Sequence, residues 1–120
     1  MDDAIAHALA NDLTIDITTT GRKTGQPRRI EIWIHHVDGR WFITGRPGRR
    51  GWYANLVANP SFVLHVKRGA TADLPSTARA ITEVAERREV LARLLEGMDG
   101  DQSLGEWVER APLVEVTIEG

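Results

Sequence analysis

Between Leu13 and Thr44 the chain repeats one pattern three times, and that pattern leaves few folds open. In L-T-I-D-I-T-T-T, Leu13, Ile15 and Ile17 alternate with Thr14, Asp16 and Thr18. This is the period of a strand with one face in a core and the other toward water. R-R-I-E-I-W-I-H-H-V repeats it through Ile30, Ile32 and Ile34, and Arg40 to Thr44 returns after Asp38-Gly39. That dipeptide is a strong hairpin signal, because its glycine takes the positive φ a tight turn needs. Strands joined by turns this short pair antiparallel.

The rest of the chain fits the same plan. A short helix is expected over Asp3 to Ala10, and a one- to two-turn helix over W-Y-A-N-L-V-A-N-P, ended by Asn59-Pro60. Ser61 to Lys67 reads as a fourth strand, and T-A-D-L-P-S-T-A-R-A-I-T as a fifth, interrupted at Pro75. E-V-A-E-R-R-E-V-L-A-R-L-L-E-G-M carries Val84, Leu91, Leu94, Leu95 and Met98 on one side of a helix. A Gly-Asp-rich break, a short helix over Leu104 to Arg110 and an alternating strand L-V-E-V-T-I-E complete the chain. Strands first, a late helix and a returning terminal strand predict an α+β fold with a six-stranded antiparallel sheet and short flanking helices. Closure into a small barrel removes the exposed edges. With 120 residues and neither repeat nor linker, residues 1–120 are expected to form one domain.

Several chemistries are excluded or disfavoured. The chain has no cysteine, so disulfides, thiolate metal sites and Cys nucleophiles are out, which suits a cytoplasmic protein. The N-terminus is acidic and too polar for a signal peptide, and no apolar run approaches a membrane span. There is no GxSxG elbow, Walker loop or G-x-G-x-x-G between a strand and a helix. His35 and His36 are adjacent on a predicted strand and face opposite ways, so no metal site is expected. Arginines interleaved with Trp33, Trp41, Trp52 and Tyr53 suggest a nucleic-acid platform. The sequence pI of about 6.1 and the acidic last third argue against one.

Charge is unevenly distributed. From Gly21 to Arg68 there are ten basic residues against two acidic, whereas the remainder holds five basic and fifteen acidic. The densest part is T-T-T-G-R-K-T-G-Q-P-R-R, Thr18 to Arg29. Read by itself, this is either a solvated hairpin turn or a site for a localised anion.

Taken in order, T-T-T-G-R-K-T-G-Q-P-R, a hairpin, a glycine-rich loop and W-Y-A-N-L-V-A-N-P resemble the deazaflavin (F420)-dependent nitroreductase family. These are split β-barrels related to the pyridoxamine-phosphate-oxidase-like flavoproteins. The resemblance runs from Leu13 to Ile118 and is densest in T-x-G-R-K-[ST]-G-x-x-R and W-Y-x-N-L-x-A-N-P.

The resemblance implies a six-stranded split barrel that binds coenzyme F420, a hydride carrier with a phosphodiester and a glutamate tail. Arg22, Lys23, Thr24, Gly25 and Arg28 would then hold the anionic part. Ile32 and Trp33 would approach the deazaflavin ring, with Thr44, Gly45 and Arg46 at its other edge. Gly48, Arg49 and Arg50 would close the loop, and Trp52, Tyr53 and Asn55 would hold the helix over the site. Tyr53 is the one candidate proton donor. The partner implied is a small electron-poor hydride acceptor: an enone, quinone or nitro compound. Alternatives are a flavin mononucleotide enzyme on the same barrel and a non-catalytic coenzyme or hydrophobic-ligand carrier. A homodimer is compatible with such barrels. The tyrosine-rich C-terminal helix of nitro-reducing members is absent, Trp107 being the one aromatic near there.

Overall fold

The computed structural model describes residues 2–98 and 103–119. In chain order the elements are α1 (Asp3–Asn11), β1 (Thr14–Thr20), β2 (Pro27–Trp33), β3 (His35–Val37), β4 (Arg40–Thr44), α2 (Gly51–Ala58), β5 (Ser61–Val66), β6 (Ala72–Ala80), α3 (Val84–Glu96), α4 (Leu104–Arg110) and β7 (Leu113–Ile118). The expected Gly-Asp-rich break falls partly on residues 99–102, which lie outside the described residues.

All seven strands form one antiparallel sheet in the order β2-β1-β5-β6-β7-β4-β3. The count is seven rather than six because the expected second strand breaks at Ile34. Its first half pairs with β1 and its second half with β4, at opposite edges of the sheet. A continuous chain can join the two edges only if the sheet curls until they meet, and this curl makes the split barrel. Ile34 sits at the seam, buried, its N–H donating to the Leu13 carbonyl at 3.0 Å. Pro75 does not interrupt β6. It lies one residue beyond the paired stretch of β7, its carbonyl accepting from the Glu119 N–H at 2.9 Å, so no ladder bond there needs the N–H that proline lacks. The Asp38-Gly39 turn has positive φ at both residues, 52° and 77°, as expected of a hairpin of this kind.

The period-2 alternation fills two cores. Ile15, Ile17, Ile43, Leu64, Val114 and Val116 point into the barrel, with Leu56 of α2 and Leu9 of α1 packed against them. Phe42, Ile81 and Leu113 point outward and are covered by Val90, Leu91 and Leu94 of α3 and Trp107 of α4. Each such side chain contributes about 1.5–3 kcal/mol on burial. One charged residue belongs to this second core. Arg87 is buried and donates to the carbonyls of Ile81, Trp107, Val108 and Ala111 at 2.6–3.1 Å. Three of those carbonyls lie at the C-terminal end of α4, the negative end of its dipole, which favours a cation.

Candidate functional site

The basic turn is built by its backbone. Gly21 N–H donates to the Gln26 carbonyl at 2.8 Å, and Gly25 N–H to the Gly21 carbonyl at 2.9 Å. Gly25 has φ +72°, which favours glycine, and a Cβ at Gly21 would fall 2.9 Å from the Thr24 hydroxyl. Thr24 Oγ1 accepts from Gln26 N–H at 3.2 Å, which leaves its own proton to donate. Asn55, buried in α2, ties the turn to the barrel. Its Oδ1 accepts from Arg22 N–H at 3.1 Å and from Arg22 Nη1 at 3.0 Å, while its Nδ2 donates to Thr19 Oγ1 at 3.2 Å. Asn55 is thus occupied in fixing Arg22.

Next to this turn lies a cleft of about 400 Å³, lined by Arg22, Lys23, Thr24 and Arg28 with Ile30, Trp52 and the start of α2 at Gly51. Among the described residues no carboxylate lines it, and Arg22, Lys23 and Arg28 form no ion pair. Helix α2 has no side-chain cap at Arg50, and its first residues, Gly51 and Trp52, line the same cleft at the positive end of the helix dipole. Turn, helix start and strand present donors and positive charge toward one volume.

The strand β2 divides its residues by face. Arg28, Ile30 and Ile32 stand opposite Thr19, Ile17 and Ile15 on the barrel side, and Arg29, Glu31 and Trp33 stand on the other. Glu31 therefore points away from the cleft and pairs with Lys67, which also lies 2.7 Å from Asp16. The bond to Lys67 is the main reason Asp16 is held below the usual carboxylate range, with Arg29 adding to it.

A second cleft, about 620 Å³, opens between β3, β4 and the helical layer. It is lined by Leu13, Trp33, His35, Val37, Leu94, Met98 and Trp107, with Thr44, Gly45 and Arg46 along one edge. Gly48, Arg49, Arg50 and Tyr53 line a third, of about 590 Å³, with Arg110 and Pro112. The three adjoin at Gly45. A Cβ there would be 3.6 Å from Pro112, 3.8 Å from Arg50 and 4.0 Å from Trp52. The expected site residues are therefore spread over three adjoining clefts. Tyr53 packs edge-on to Trp52, ring centroids 6.0 Å apart, and lines a different cleft from the basic turn. Gly25 sits on the outer side of the turn with Thr20 and Pro27, and Ile32 is half-buried against the barrel core.

Three features escaped the sequence reading. Ile30, exposed on the barrel side, forms a wall of the cationic cleft, and His35 belongs to the apolar one. The third is a hydroxyl–imidazole–carboxylate chain: Thr18 Oγ1 to His65 Nε2 at 2.7 Å and His65 Nδ1 to Asp73 Oδ1 at 2.6 Å. Its order is that of a nucleophile, base and orienter. It spans three paired strands, however, whose N–H groups pair in ladders and offer nothing to a developing oxyanion. It serves as a cross-strand tie. Among the described residues no group of His, Asp and Glu has the arrangement of a metal site, and no helix is long and apolar enough to cross a membrane.

A curled antiparallel sheet carrying an anion-accepting cleft and an adjoining apolar one defines a split-barrel protein that binds an anionic cofactor. The chain matches the family model described as F420H(2)-dependent quinone reductase over residues 2–119 and belongs to that family. It is an oxidoreductase, and its cofactor is coenzyme F420. Solved structures share the fold. A conserved hypothetical protein from Mycobacterium tuberculosis is 19% identical, with a TM-score of 0.71 over 100% of this chain and 82% of its own. A Listeria innocua protein assigned by name to the pyridoxamine 5'-phosphate oxidases is 11% identical, TM-score 0.69, over 98% and 93%. An F420-H2 dependent reductase is 23% identical, TM-score 0.58, over 89% and 94%. The donor set fits the coenzyme: three cations without carboxylate partners, a free hydroxyl proton and an uncapped helix start suit a phosphodiester and a carboxylate tail.

Proposed function

We propose that this chain reduces an electron-poor small molecule, an enone, quinone or nitro compound, with the coenzyme's anionic part held in the cationic cleft. One observation carries the reading. Arg22, Lys23 and Arg28 converge on a cleft without a carboxylate, while exposed basic residues on the far side of the sheet are ion-paired. Unpaired positive charge so concentrated has a ligand as its natural partner.

The roles divide by position. Lys23 and Arg28 give charge-assisted hydrogen bonds to phosphate and carboxylate oxygens. Arg22, fixed by Asn55, supplies a pre-oriented guanidinium, and Thr24 its hydroxyl proton. Gly45 and Trp52 form the contact between the cationic cleft and the apolar one, and Thr44, Gly45 and Arg46 bound the region where ring and acceptor meet. Trp33 and Ile32 flank β2 on its two faces. When bound and reduced, the coenzyme supplies a hydride; the protein positions, desolvates and neutralises charge.

A fluorescence titration of the protein with oxidised coenzyme F420, with flavin mononucleotide in parallel, tests this reading. The expected result is saturable binding of the deazaflavin, weakened about tenfold in Lys23→Ala, the scale of one charge-assisted hydrogen bond. Added salt should weaken it further. Affinity indifferent to both mutation and salt, or a preference for flavin mononucleotide, overturns it.

A further inference from the structure

The apolar cleft has its own chemistry. It is lined by the indoles of Trp33, 63% exposed, and Trp107, and by Leu13, Val37, Leu94 and Met98. Its volume suits a small ring system. Among the described residues its polar lining consists of His35, His36, Thr44, Arg46 and Arg93, with no carboxylate. Most of these are engaged. Thr44 donates to the Pro112 carbonyl at 2.6 Å, Arg93 is held by Asp38 at 2.7 and 3.2 Å, and His36 is exposed and stacked on Trp41 with ring centroids 4.1 Å apart.

The Arg46 side chain has no hydrogen bond or ion pair among the described residues, and neither does that of His35. His35 faces the helical layer from β3, in register with Phe42, and is half-buried. Burial lowers its pKa below the usual histidine range, so near neutral pH its ring is uncharged, with one nitrogen carrying a proton. Neither ring nitrogen is a buried group without a partner, so this N–H is open to an acceptor that enters the cleft. An apolar slot that offers donors and, among the described residues, no carboxylate suits a ring bearing a carbonyl oxygen.

We infer that this cleft binds the compound to be reduced, and that His35 recognises its carbonyl oxygen by donating an imidazole N–H; the inference rests on the reductase reading above. His35 is thus a specificity residue for carbonyl acceptors such as quinones and enones. Its N–H is placed to stabilise negative charge that gathers on that oxygen, as a neutral imidazole does in other enzymes.

The test needs no coenzyme and no turnover. The 15N-labelled protein is titrated with 2-methyl-1,4-naphthoquinone and, separately, with 2-methylnaphthalene, which has the same apolar body and no carbonyl. The quinone should shift the His35 ring nitrogens and the indole N–H of Trp33 saturably. His35→Ala should weaken the quinone about tenfold, the scale of one buried hydrogen bond, and leave the hydrocarbon unchanged. His35→Gln, which restores a donor, should recover part of the loss. Equal effects on both ligands, an unchanged quinone affinity, or shifts centred on Ile30 and Trp52 overturn the assignment. The coenzyme titration separates the two readings. Quinone binding that depends on His35, in a protein that ignores coenzyme F420, upholds the carbonyl site and removes the reductase reading. The reverse pattern removes only the carbonyl site.

Discussion

Arg28 and Arg29 are neighbours in sequence and opposites in use. Arg28 stands on the barrel side of β2, lines the cationic cleft and meets no carboxylate among the described residues. Arg29 stands on the outer side and bonds Asp16 at 2.9 Å. The same division runs through the sheet. On its outer face Lys67 joins Asp16 and Glu31, and Arg40 and Arg79 converge on Glu115 and Glu86. In the second core Arg87 is satisfied by carbonyls. Across the barrel wall Arg22, Lys23 and Arg28 remain without counter-charges. The clustering of basic residues in sequence therefore mixes two populations, and the absence of a carboxylate partner among the described residues marks the ligand-binding one.

Five variants probe that division, beginning with the most severe. Arg87→Met removes the donor shared by four carbonyls, of which that of Trp107 keeps the Ala111 N–H, and urea unfolding should show a loss of about 3–5 kcal/mol. Lys23→Glu with Arg28→Glu should lower coenzyme F420 affinity about 100-fold or more at low salt. The same pair should leave the unfolding midpoint nearly unchanged, because neither residue has an ion pair to lose. Glu115→Gln should cost about 1–3 kcal/mol, since Arg40 and Arg79 would then share Glu86 alone, and coenzyme affinity should not move. Arg29→Ala, an exposed ion pair, should cost about 0.2–1 kcal/mol and leave binding intact, whereas Arg28→Ala weakens binding alone.

Acid offers another way to separate the populations. Arg40 and then Arg79 hold Glu115 down to about 2, and Arg79 holds Glu86 below its usual range. Carboxylates depressed in the folded state contribute stability that is complete above their unfolded value of about 4.5. That stability is lost as pH falls from there toward 2. Thermal melts between pH 6 and 2.5 should follow this decline, and Glu115→Gln should flatten it. Double substitution of Lys23 and Arg28 should leave its shape unchanged.

Much of the fold was legible because alternation is a local property. Ile15 and Ile17 had to share a face with each other and not with Asp16, and Asp38-Gly39 had to turn the chain. The position of the break was not legible. Ile30, Ile32 and Ile34 alternate without interruption, and only pairing with two different partners ends β2 at Trp33. Asn55 was legible as a member of the helix over the turn. Its double bond to Arg22 joins residues 33 positions apart and had no signal in either motif. Arg87 read as one charge on a polar helix face, because the carbonyls that bury it belong to a helix some twenty residues further on.

By itself the sequence determined which side chains can share a face, where the chain must turn and where positive charge is dense, since these depend on neighbours a few bonds away. The tertiary structure decided which of those charges are neutralised. It set Arg28 toward a cleft and Arg29 toward Asp16, turned Glu31 outward and placed His35 among apolar walls. Coulombic pairing and desolvation act through space, and the distances that govern them exist only once the sheet has curled.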